Sequence, residues 1–371
     1  MRLMIFSRKN WVGISRLPFA LKQAGFEVGV VCPDGYYLSA TAYADYKLPY
    51  ASDMGRVELY GVLQRAFQDW SPDLVIPGDD TSVWFLRNAC IKAAETLSPP
   101  HLNVISQSLC KLEQREAVEM KTVLGAITDT LGIDFPAQLI SPGLEEAIAF
   151  TQTHGFPVAL KRDYTYAGLG VVICRDLREL RENHATVAEK SRQEKDDFAL
   201  QQFIAGAPSS VSFSALNGKM LAAFAFRAEV TRNATGFTSI ARIIENQTMI
   251  TATEKLVSYF GYSGFGGLDF ILDETDRPWL LEINPRPTPT SHLGTLVGAD
   301  LCGALYVAMS GKAVPALAAK RVERIAMFPY AWVQETQTIG EFSGYHDVPW
   351  YDPPLLAMMV RDFYGKCKVS R

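Results

Sequence analysis

Two apolar runs, residues 268–272 and 279–283, lie on either side of a polar segment that contains two aspartates, a glutamate and a proline. This composition is typical of a strand, a turn and a second strand, so we predict a β-hairpin. With the tip at 275–276, counting outward places Asp269 opposite Glu282. Directly opposed residues in a hairpin have Cβ atoms about 5 Å apart. The hairpin therefore brings two carboxylates to one face of a sheet.

The same register places Asp273 opposite Pro278, and Asn284 lies two residues beyond Glu282. The period-two pleat then puts the Asn284 amide oxygen on the face that carries the carboxylates. Mg²⁺ takes oxygen ligands and is usually held by one or two carboxylates together with waters and substrate phosphates. Taken singly, either carboxylate is also explained as a solvent-facing residue of an alternating strand. The full pattern predicts a site for Mg²⁺, or for Mn²⁺, on Asp269, Glu282 and Asn284.

The segments LDFIL and LLEINPR, which form these two runs, resemble the paired metal strands of the ATP-grasp superfamily. Members of that family join a carboxylate to an amine, or make a carboxylated product, through an acyl phosphate. The resemblance implies that the three predicted ligands bind the metal and that Arg286 contacts the transferred phosphate. The PRP sequence at 285–287, followed by His292, is similar to the purine-pathway carboxylase branch and suggests His292 as a substrate residue.

The family also requires phosphate-binding lysines, and two are present upstream. PVALKRD at 157–163 resembles the family strand that ends in a lysine, so Lys161 is expected to touch the α and β phosphates as a compact charge. The segment 120–137 resembles a family helix, and Lys121 lies eleven residues before Gly132, which is the family's spacing. Lys121 is therefore a second candidate for nucleotide binding, and a solvated helix lysine is the alternative.

The segment 163–170 has the length of the family loop that covers the phosphates, where glycines and backbone N–H groups approach the nucleotide. Its candidate nucleotide contacts are Tyr166, Gly168 and Gly170. The segment departs from the family because only two of its residues are glycine and two tyrosines replace small residues. Tyr164 or Tyr166 is therefore alternatively a substrate contact.

FALQQFIAG at 198–206 resembles the hinge whose backbone binds the adenine edge in this family. The resemblance implies that Gln201 lies near the adenine amino group or the ribose. Backbone groups of Gln202, Phe203 and Ile204 would then bind the base. An ordinary apolar strand that contains two glutamines is the alternative.

Length, charge and cysteine pattern exclude several classes of protein. A chain of 371 residues exceeds what one core usually supports, so two or three domains are expected. The net charge is −4 and no run of lysines and arginines occurs outside the tail, which argues against a nucleic-acid partner. No apolar stretch has the length needed to cross a bilayer, so we expect a cytoplasmic protein with no membrane partner. The six cysteines are scattered without paired metal spacing and are expected to be reduced.

The first hundred residues alternate short apolar runs with helical patterns, which indicates βαβ units and a parallel sheet. We expect an α/β and α+β chain with a small N-terminal α/β domain over 1–110, a small nucleotide lobe over 111–196, a large lobe over 197–315 and a β-rich segment over 316–371.

Asp79 and Asp80 follow a predicted strand at 74–76, where ligands of open α/β sheets bind. They either face the substrate or cap the helix that follows, and the sequence leaves both interpretations open. Arg242 lies in the large lobe and is a candidate for holding an anionic substrate. A solvated strand charge is its alternative.

These features predict an ADP-forming ligase that uses ATP and Mg²⁺ to activate a small carboxylate as an acyl phosphate for attack by an amine. Lys161 and Arg286 are its expected catalytic charges. One alternative is a bicarbonate-using carboxylase of the same family. Another is a non-catalytic nucleotide-binding or sensing protein, for which the altered glycine loop is the argument. The small-molecule acid and amine are the expected partners, and a homodimer is compatible with the sequence.

Overall fold

Three β-sheets organise the part of the chain that the structure describes. The computed structural model describes residues 1–114, 117–165, 170–231, 238–314, 321–334 and 339–367. The mixed α/β architecture predicted from the sequence is confirmed, with a parallel sheet at the N-terminus, then an antiparallel sheet and a large sheet that is antiparallel except for its last strand pair.

The N-terminal sheet is parallel and has the strand order β3-β2-β1-β4. Its elements are β1 (Arg2–Phe6), α1 (Leu17–Ala24), β2 (Glu27–Pro33), α2 (Tyr37–Ala40), β3 (Tyr46–Tyr50), α3 (Arg56–Trp70), β4 (Leu74–Pro77), α4 (Asp80–Lys92) and α5 (Pro99–Gln107). The sequence predicts three of the strands but not β3, which contains a charged residue and Pro49. Because β3 is the edge strand, the missing N–H of a proline is tolerated there.

The second sheet is antiparallel and has the order β5-β8-β6-β7. Its elements are α6 (Lys121–Leu131), β5 (Gln138–Ile140), α7 (Leu144–His154), β6 (Val158–Arg162), β7 (Val171–Cys174), α8 (Leu177–Glu194) and β8 (Phe198–Gln202). Helix α6 ends at Gly132, whose φ of 61° is a left-handed conformation that glycine adopts without strain. Strand β8 pairs with β5 and β6, so the expected division at 196/197 cuts through this sheet.

The large sheet has the order β13-β12-β9-β10-β11-β14-β15. Its first five strands and the helices among them are β9 (Ala207–Leu216), β10 (Lys219–Thr231), β11 (Thr238–Ile244), α9 (Gln247–Phe260), β12 (Gly264–Leu272), β13 (Pro278–Asn284), α10 (Gly294–Val297) and α11 (Leu301–Ser310). Strands β9 and β10 form a hairpin whose two-residue tip is Asn217-Gly218. Asn217 has φ 51° and Gly218 has φ 77°, as a type I′ turn requires.

The C-terminal segment contributes two short strands to the large sheet and is otherwise helical. Its elements are β14 (Arg324–Ala326), α12 (Tyr330–Gln334), β15 (Tyr345–His346) and α13 (Pro353–Cys367). Strand β14 pairs with β11, and β15 pairs with β14. The segment therefore has less strand than its aromatic residues suggest, and α13 is its longest element.

Two shared cores hold the sheets together around β12. Leu3 and Ile5 of β1 are buried in one cluster with Phe224 and Phe226 of β10 and with Phe265 of β12. Fully burying a side chain such as Phe contributes about 1.5–3 kcal/mol relative to leaving it exposed. In a second cluster, α6 packs its apolar face on β12 and β13. The N-terminal sheet and the start of α6 are thus fixed beside the hairpin.

Among the described helices, none is both long and apolar enough to cross a bilayer by itself. The helical stretches Ser291–Val297 and Leu301–Ser310 reach that length and composition only when taken as a pair, and they meet at a bend of 101°.

Candidate active site

The predicted carboxylate pair is present, although the hairpin differs from the expected one at its tip. Asp269 of β12 faces Glu282 of β13, as predicted. Nearer the tip, Leu272 and not Asp273 faces Pro278, so the register there is shifted by one residue. A β-bulge that leaves Leu281 unpaired takes up this shift before Glu282 is reached. The predicted pairing of Asp269 with Glu282 is therefore correct because the register shift at the tip and the bulge at Leu281 compensate each other.

Asp269 lies between two hydrogen-bond donors and a second carboxylate. Its Oδ1 accepts from Ser210 Oγ at 2.6 Å and its Oδ2 accepts from Asn284 Nδ2 at 2.9 Å. Burial and the neighbouring Glu282 charge raise the pKa of Asp269 to about 6, while the two hydrogen bonds act in the opposite direction. The pair is electrostatically strained as two bare anions, and a cation between them relieves that strain.

Asn284 connects the carboxylate pair to Arg286. Its amide nitrogen donates to Asp269, and its Oδ1 accepts from Arg286 Nη2 at 3.1 Å. The amide oxygen accepts one hydrogen bond from the arginine in this structure, which leaves its second lone pair for another partner. Within the described residues, no group of three or more His, Cys, Asp or Glu gathers as a metal cage. Two carboxylates and one amide fit a hard cation that completes its shell with water and phosphate oxygens.

The two candidate lysines approach the carboxylates from the second sheet. Lys121 is the first residue of α6, and its Nζ lies 3.9 Å from Glu282 Oε2. Lys161 lies on β6, and burial lowers the pKa of its ammonium to about 8. The nearby Lys121 charge also lowers this pKa, whereas the Glu282 charge raises it. The three charges therefore act on one another, and the structure brings together residues that are far apart in sequence.

The start of the predicted phosphate loop is tied to α6. Asp163 accepts hydrogen bonds from the backbone N–H and the hydroxyl of Thr122, and the Lys121 ammonium donates to the Thr165 carbonyl oxygen at 2.6 Å. Gly170 closes the loop, where an added Cβ would lie 2.2 Å from Thr165 Oγ1. The candidates Tyr166 and Gly168 lie outside the described residues.

The predicted adenine hinge begins at the end of β8. Gln201 is buried, and its side chain donates to Gln138 Oε1 at 3.4 Å. The Gln202 N–H bonds to the Ala137 carbonyl at 2.8 Å. Phe203 and Ile204 follow the last strand residue, and the Phe203 side chain is exposed. Their backbone roles toward a base stay a prediction.

The two aspartates after β4 have different partners. Asp79 is buried and caps α4, and its Oδ2 also accepts from the backbone N–H groups of Arg8 and Lys9 at 2.7 and 3.1 Å. Asp80 Oδ1 accepts from Arg286 Nε at 3.0 Å. The capping interpretation therefore holds for Asp79, whose oxygens are taken by protein donors, whereas Asp80 belongs to the Arg286 environment.

Arg242 and His292, two candidate substrate residues, have protein partners elsewhere. Arg242 pairs with Glu229, which also pairs with Arg324, so its charge is compensated within the sheet. His292 is buried and bonds through Nε2 to Asp347 Oδ1 at 2.9 Å. Both side chains thus have protein partners in this structure, and their roles toward a substrate stay predictions.

Four residues near these groups, namely Ser210, Trp11, Arg16 and Asp347, were missed by the sequence analysis. Ser210 faces Asp269 across β9 and β12, and the serine alternation of β9 was a signal for it once the pairing was known. Trp11 covers the Arg286 guanidinium at 4.7 Å from its ring centroid. Arg16 lies 3.2 Å from Asp347 and compensates the carboxylate that holds His292. The last three have no local signal, because their partners are hundreds of residues away.

Comparison with known proteins agrees with this geometry. Residues 144–290 match the family model for the ATP-grasp domain. The chain is 27% identical over 167 residues to a pyruvate carboxylase from Aspergillus niger, covering 41% of this chain and 14% of that protein. It is 25% identical over 178 residues to a D-alanine–D-alanine ligase from Pseudomonas entomophila, covering 45% and 54%. The chain thus spans about half the length of the second relative and far less of the first.

Among solved structures, a biotin carboxylase–β,γ-ATP complex from Campylobacter jejuni is similar, with a TM-score of 0.64 and 16% identity. The match covers 85% of this chain and 72% of that one. At this identity the similarity describes the fold.

Proposed function

The chain carries an ATP-grasp domain, and on that premise we propose that it is an ADP-forming ligase that joins a small carboxylate to an amine. The observation that carries the proposal is the contact of Lys121 Nζ with Glu282 Oε2 at 3.9 Å. It brings cations from one sheet to the carboxylate pair of another, and such an arrangement suits a polyphosphate with a divalent ion between the two.

The nucleotide and the metal would be held by residues of both sheets. Lys121 and Lys161 would bind phosphate oxygens as point charges, and Asp269 and Glu282 would hold Mg²⁺. When bound, Mg²⁺ supplies charge neutralisation at the phosphates and helps to align the transferring group. Arg286 would bind the phosphate of the activated acid, because its guanidinium presents paired donors that match phosphate oxygens.

The reaction has two steps that balance. The substrate carboxylate oxygen attacks the γ phosphorus of ATP. The bond between that phosphorus and the β–γ bridging oxygen breaks, and ADP leaves with the electron pair of this bond. The amine nitrogen then attacks the carbonyl carbon of the acyl phosphate, phosphate leaves, and the nitrogen loses a proton to give the amide. The contribution of this chain is mainly positioning and charge stabilisation, as in other phosphoryl transfers.

The carboxylase alternative loses one of its arguments. It drew on His292, which is buried against Asp347 and so has a structural partner. The PRP sequence remains as its support. A cytoplasmic location and a homodimer also stay predictions.

The experiment is a hydroxamate trap with ATP, Mg²⁺ and a panel of amino acids, dipeptides and small hydroxy acids. We expect one acid to release ADP, and hydroxylamine to convert the acyl phosphate into a hydroxamate. Release of AMP and pyrophosphate would overturn the proposal. Bicarbonate-dependent ADP release without any hydroxamate would favour the carboxylase, and no nucleotide turnover with any acid would favour a binding protein.

A further inference from the structure

A cavity of about 140 Å³ lies at the carboxyl edge of the N-terminal sheet. It is formed where the chain leaves β1, where it leaves β3 and where α4 begins. The residues that line it are Arg8, Lys9, Tyr50, Ser52, Leu59 and Thr81. This edge is where open α/β sheets bind ligands.

The wall of this cavity contains two cations and no acid. The Arg8 guanidinium lies over the Phe85 ring, 5.3 Å from its centroid, and the residue is half-buried. Within the described part of the chain, neither the Arg8 nor the Lys9 side chain has an ion-pair or hydrogen-bond partner. An arginine stacked on an aromatic ring keeps its edge N–H groups available for an anion.

The loop that carries these cations is held in place by hydrogen bonds to Asp79 and Tyr50. Asp79 accepts from the Ser7 hydroxyl at 2.9 Å as well as from the backbone of Arg8 and Lys9. The Tyr50 hydroxyl donates to the Ser7 carbonyl oxygen at 2.7 Å, which ties β3 to the same loop. A site whose groups are already ordered binds its ligand at a smaller entropic cost.

The cavity adjoins the Arg286 environment through consecutive residues of one turn. Thr81 lines the cavity, and Asp80, which precedes it, bonds to Arg286 at 3.0 Å. The cavity and the arginine assigned to the reacting phosphate therefore contact consecutive residues at the start of α4.

We propose that the cavity is an anion subsite that holds a non-reacting carboxylate or phosphate group of a substrate. Arg8 and Lys9 supply the charge, and Ser52 supplies a hydroxyl donor, whereas the Thr81 hydroxyl already donates to Asp79 Oδ1 at 2.6 Å. Naming the ligand as a substrate group rests on the proposed function, whereas binding of an anion at Arg8 does not.

The test is calorimetric titration of a Lys161→Ala protein with inorganic phosphate and, separately, with succinate. The Lys161→Ala background weakens capture of either anion at the nucleotide phosphates. We expect one of the two anions to bind, and the added substitution Arg8→Gln to weaken it by about tenfold or more, since hydrogen bonds to charged groups are of that strength. Arg8→Lys should restore part of the affinity.

Arg56→Gln is the matched control, because Arg56 also stacks on an aromatic ring, 4.7 Å from the centroid of Trp84, but does not line the cavity. It should leave anion affinity unchanged. Binding of neither anion, or equal affinity with and without Arg8→Gln, would overturn the subsite. If Arg8→Gln does not fold, as judged by circular dichroism, Lys9→Gln at an exposed position takes its place in the same comparison.

The two anions and a separate turnover assay distinguish the remaining outcomes. Preference for phosphate indicates a phosphorylated substrate, and preference for succinate indicates a substrate with a second carboxylate. Arg8-dependent anion binding in a protein that gives no hydroxamate and no ADP would support the subsite and reject the ligase. In an active enzyme, Arg8→Gln should raise the KM of one organic substrate and leave the KM of ATP unchanged.

Discussion

Arg286 of the large sheet is paired with Asp80 of the N-terminal domain, with Nε and Oδ1 3.0 Å apart. The guanidinium also lies against the Trp11 ring, so the N-terminal domain contacts it on two sides. From its own sheet, the arginine donates to Asn284. Two of the contacts that orient the proposed phosphate-binding arginine therefore come from a domain that supplies none of the proposed metal ligands or nucleotide lysines.

Asp80→Asn should lower kcat about tenfold to a hundredfold and change the KM of ATP less, because Arg286 loses its charged partner and its fixed orientation. Steady-state ADP release with the acid found by the hydroxamate panel measures the effect. Asp69→Asn is the control, since Asp69 pairs with Arg65 on the surface. A wild-type kcat for Asp80→Asn would show that the pair does not position the arginine.

Glu282→Gln should abolish turnover while the protein stays folded, because the substitution keeps the shape of the side chain but removes one charge from the metal site. The thermal stabilisation that Mg²⁺ with a non-hydrolysable ATP analogue gives the wild type should be reduced as well. Glu274→Gln, at the exposed tip of the same hairpin, is the matched control. ADP release at the wild-type rate would remove the metal assignment.

Lys161→Ala should weaken binding of ATP by about tenfold or more and leave adenosine nearly unaffected, because the lysine is expected to meet phosphates and not the base. Calorimetry with both ligands measures the difference. Lys190→Ala provides a comparison at a lysine of α8 that was not assigned to the site. Equal losses for ATP and adenosine would place Lys161 away from the phosphates.

Acidification should destabilise the protein partly through His292. Burial lowers the pKa of His292 in the folded state, so the unfolded chain, with an ordinary value of about 6.5, takes up the proton first. Neutral His292 makes its full contribution to the free energy of unfolding above about pH 6.5. This contribution is lost as the pH falls from there through the lowered pKa of the folded state. His292→Gln should therefore lose less unfolding free energy between pH 7 and pH 5 than the wild type, measured by urea denaturation.

His154→Gln, at a histidine that is not fully buried, is the control for this pH dependence. It should follow the wild-type curve. The same slope for His292→Gln and wild type would mean that the buried His292–Asp347 contact does not contribute.

The sequence was sufficient for features that depend on local pattern. Alternating apolar runs predicted the parallel sheet, and the hairpin arithmetic brought Asp269 opposite Glu282. It reached that pairing without the bulge at Leu281, because an error of one residue at the tip offset the unseen extra residue. Neither deviation has a signal in the residues themselves, since loop shape and bulge position depend on the packing of neighbouring strands.

The partners of the candidate residues were beyond local reasoning. His292 was suggested by a family resemblance, but its partner Asp347 lies in the C-terminal segment and is supported by Arg16. Asp79 carried a clear helix-cap signal, and only the structure shows that Ser7 and the backbone of the next two residues also use its oxygens. Contacts between distant segments decide which polar residues remain available to a ligand.

The core shared by β1, β10 and β12 has a practical consequence for dissecting this chain. A fragment that begins after residue 110 would expose Phe224, Phe226 and Phe265, which are buried together with Leu3 and Ile5 in the full chain. An exposed apolar surface of this kind promotes aggregation. We therefore expect a fragment limited to the matched segment 144–290 to aggregate, and proteins expressed to study nucleotide binding should retain the N-terminal sheet.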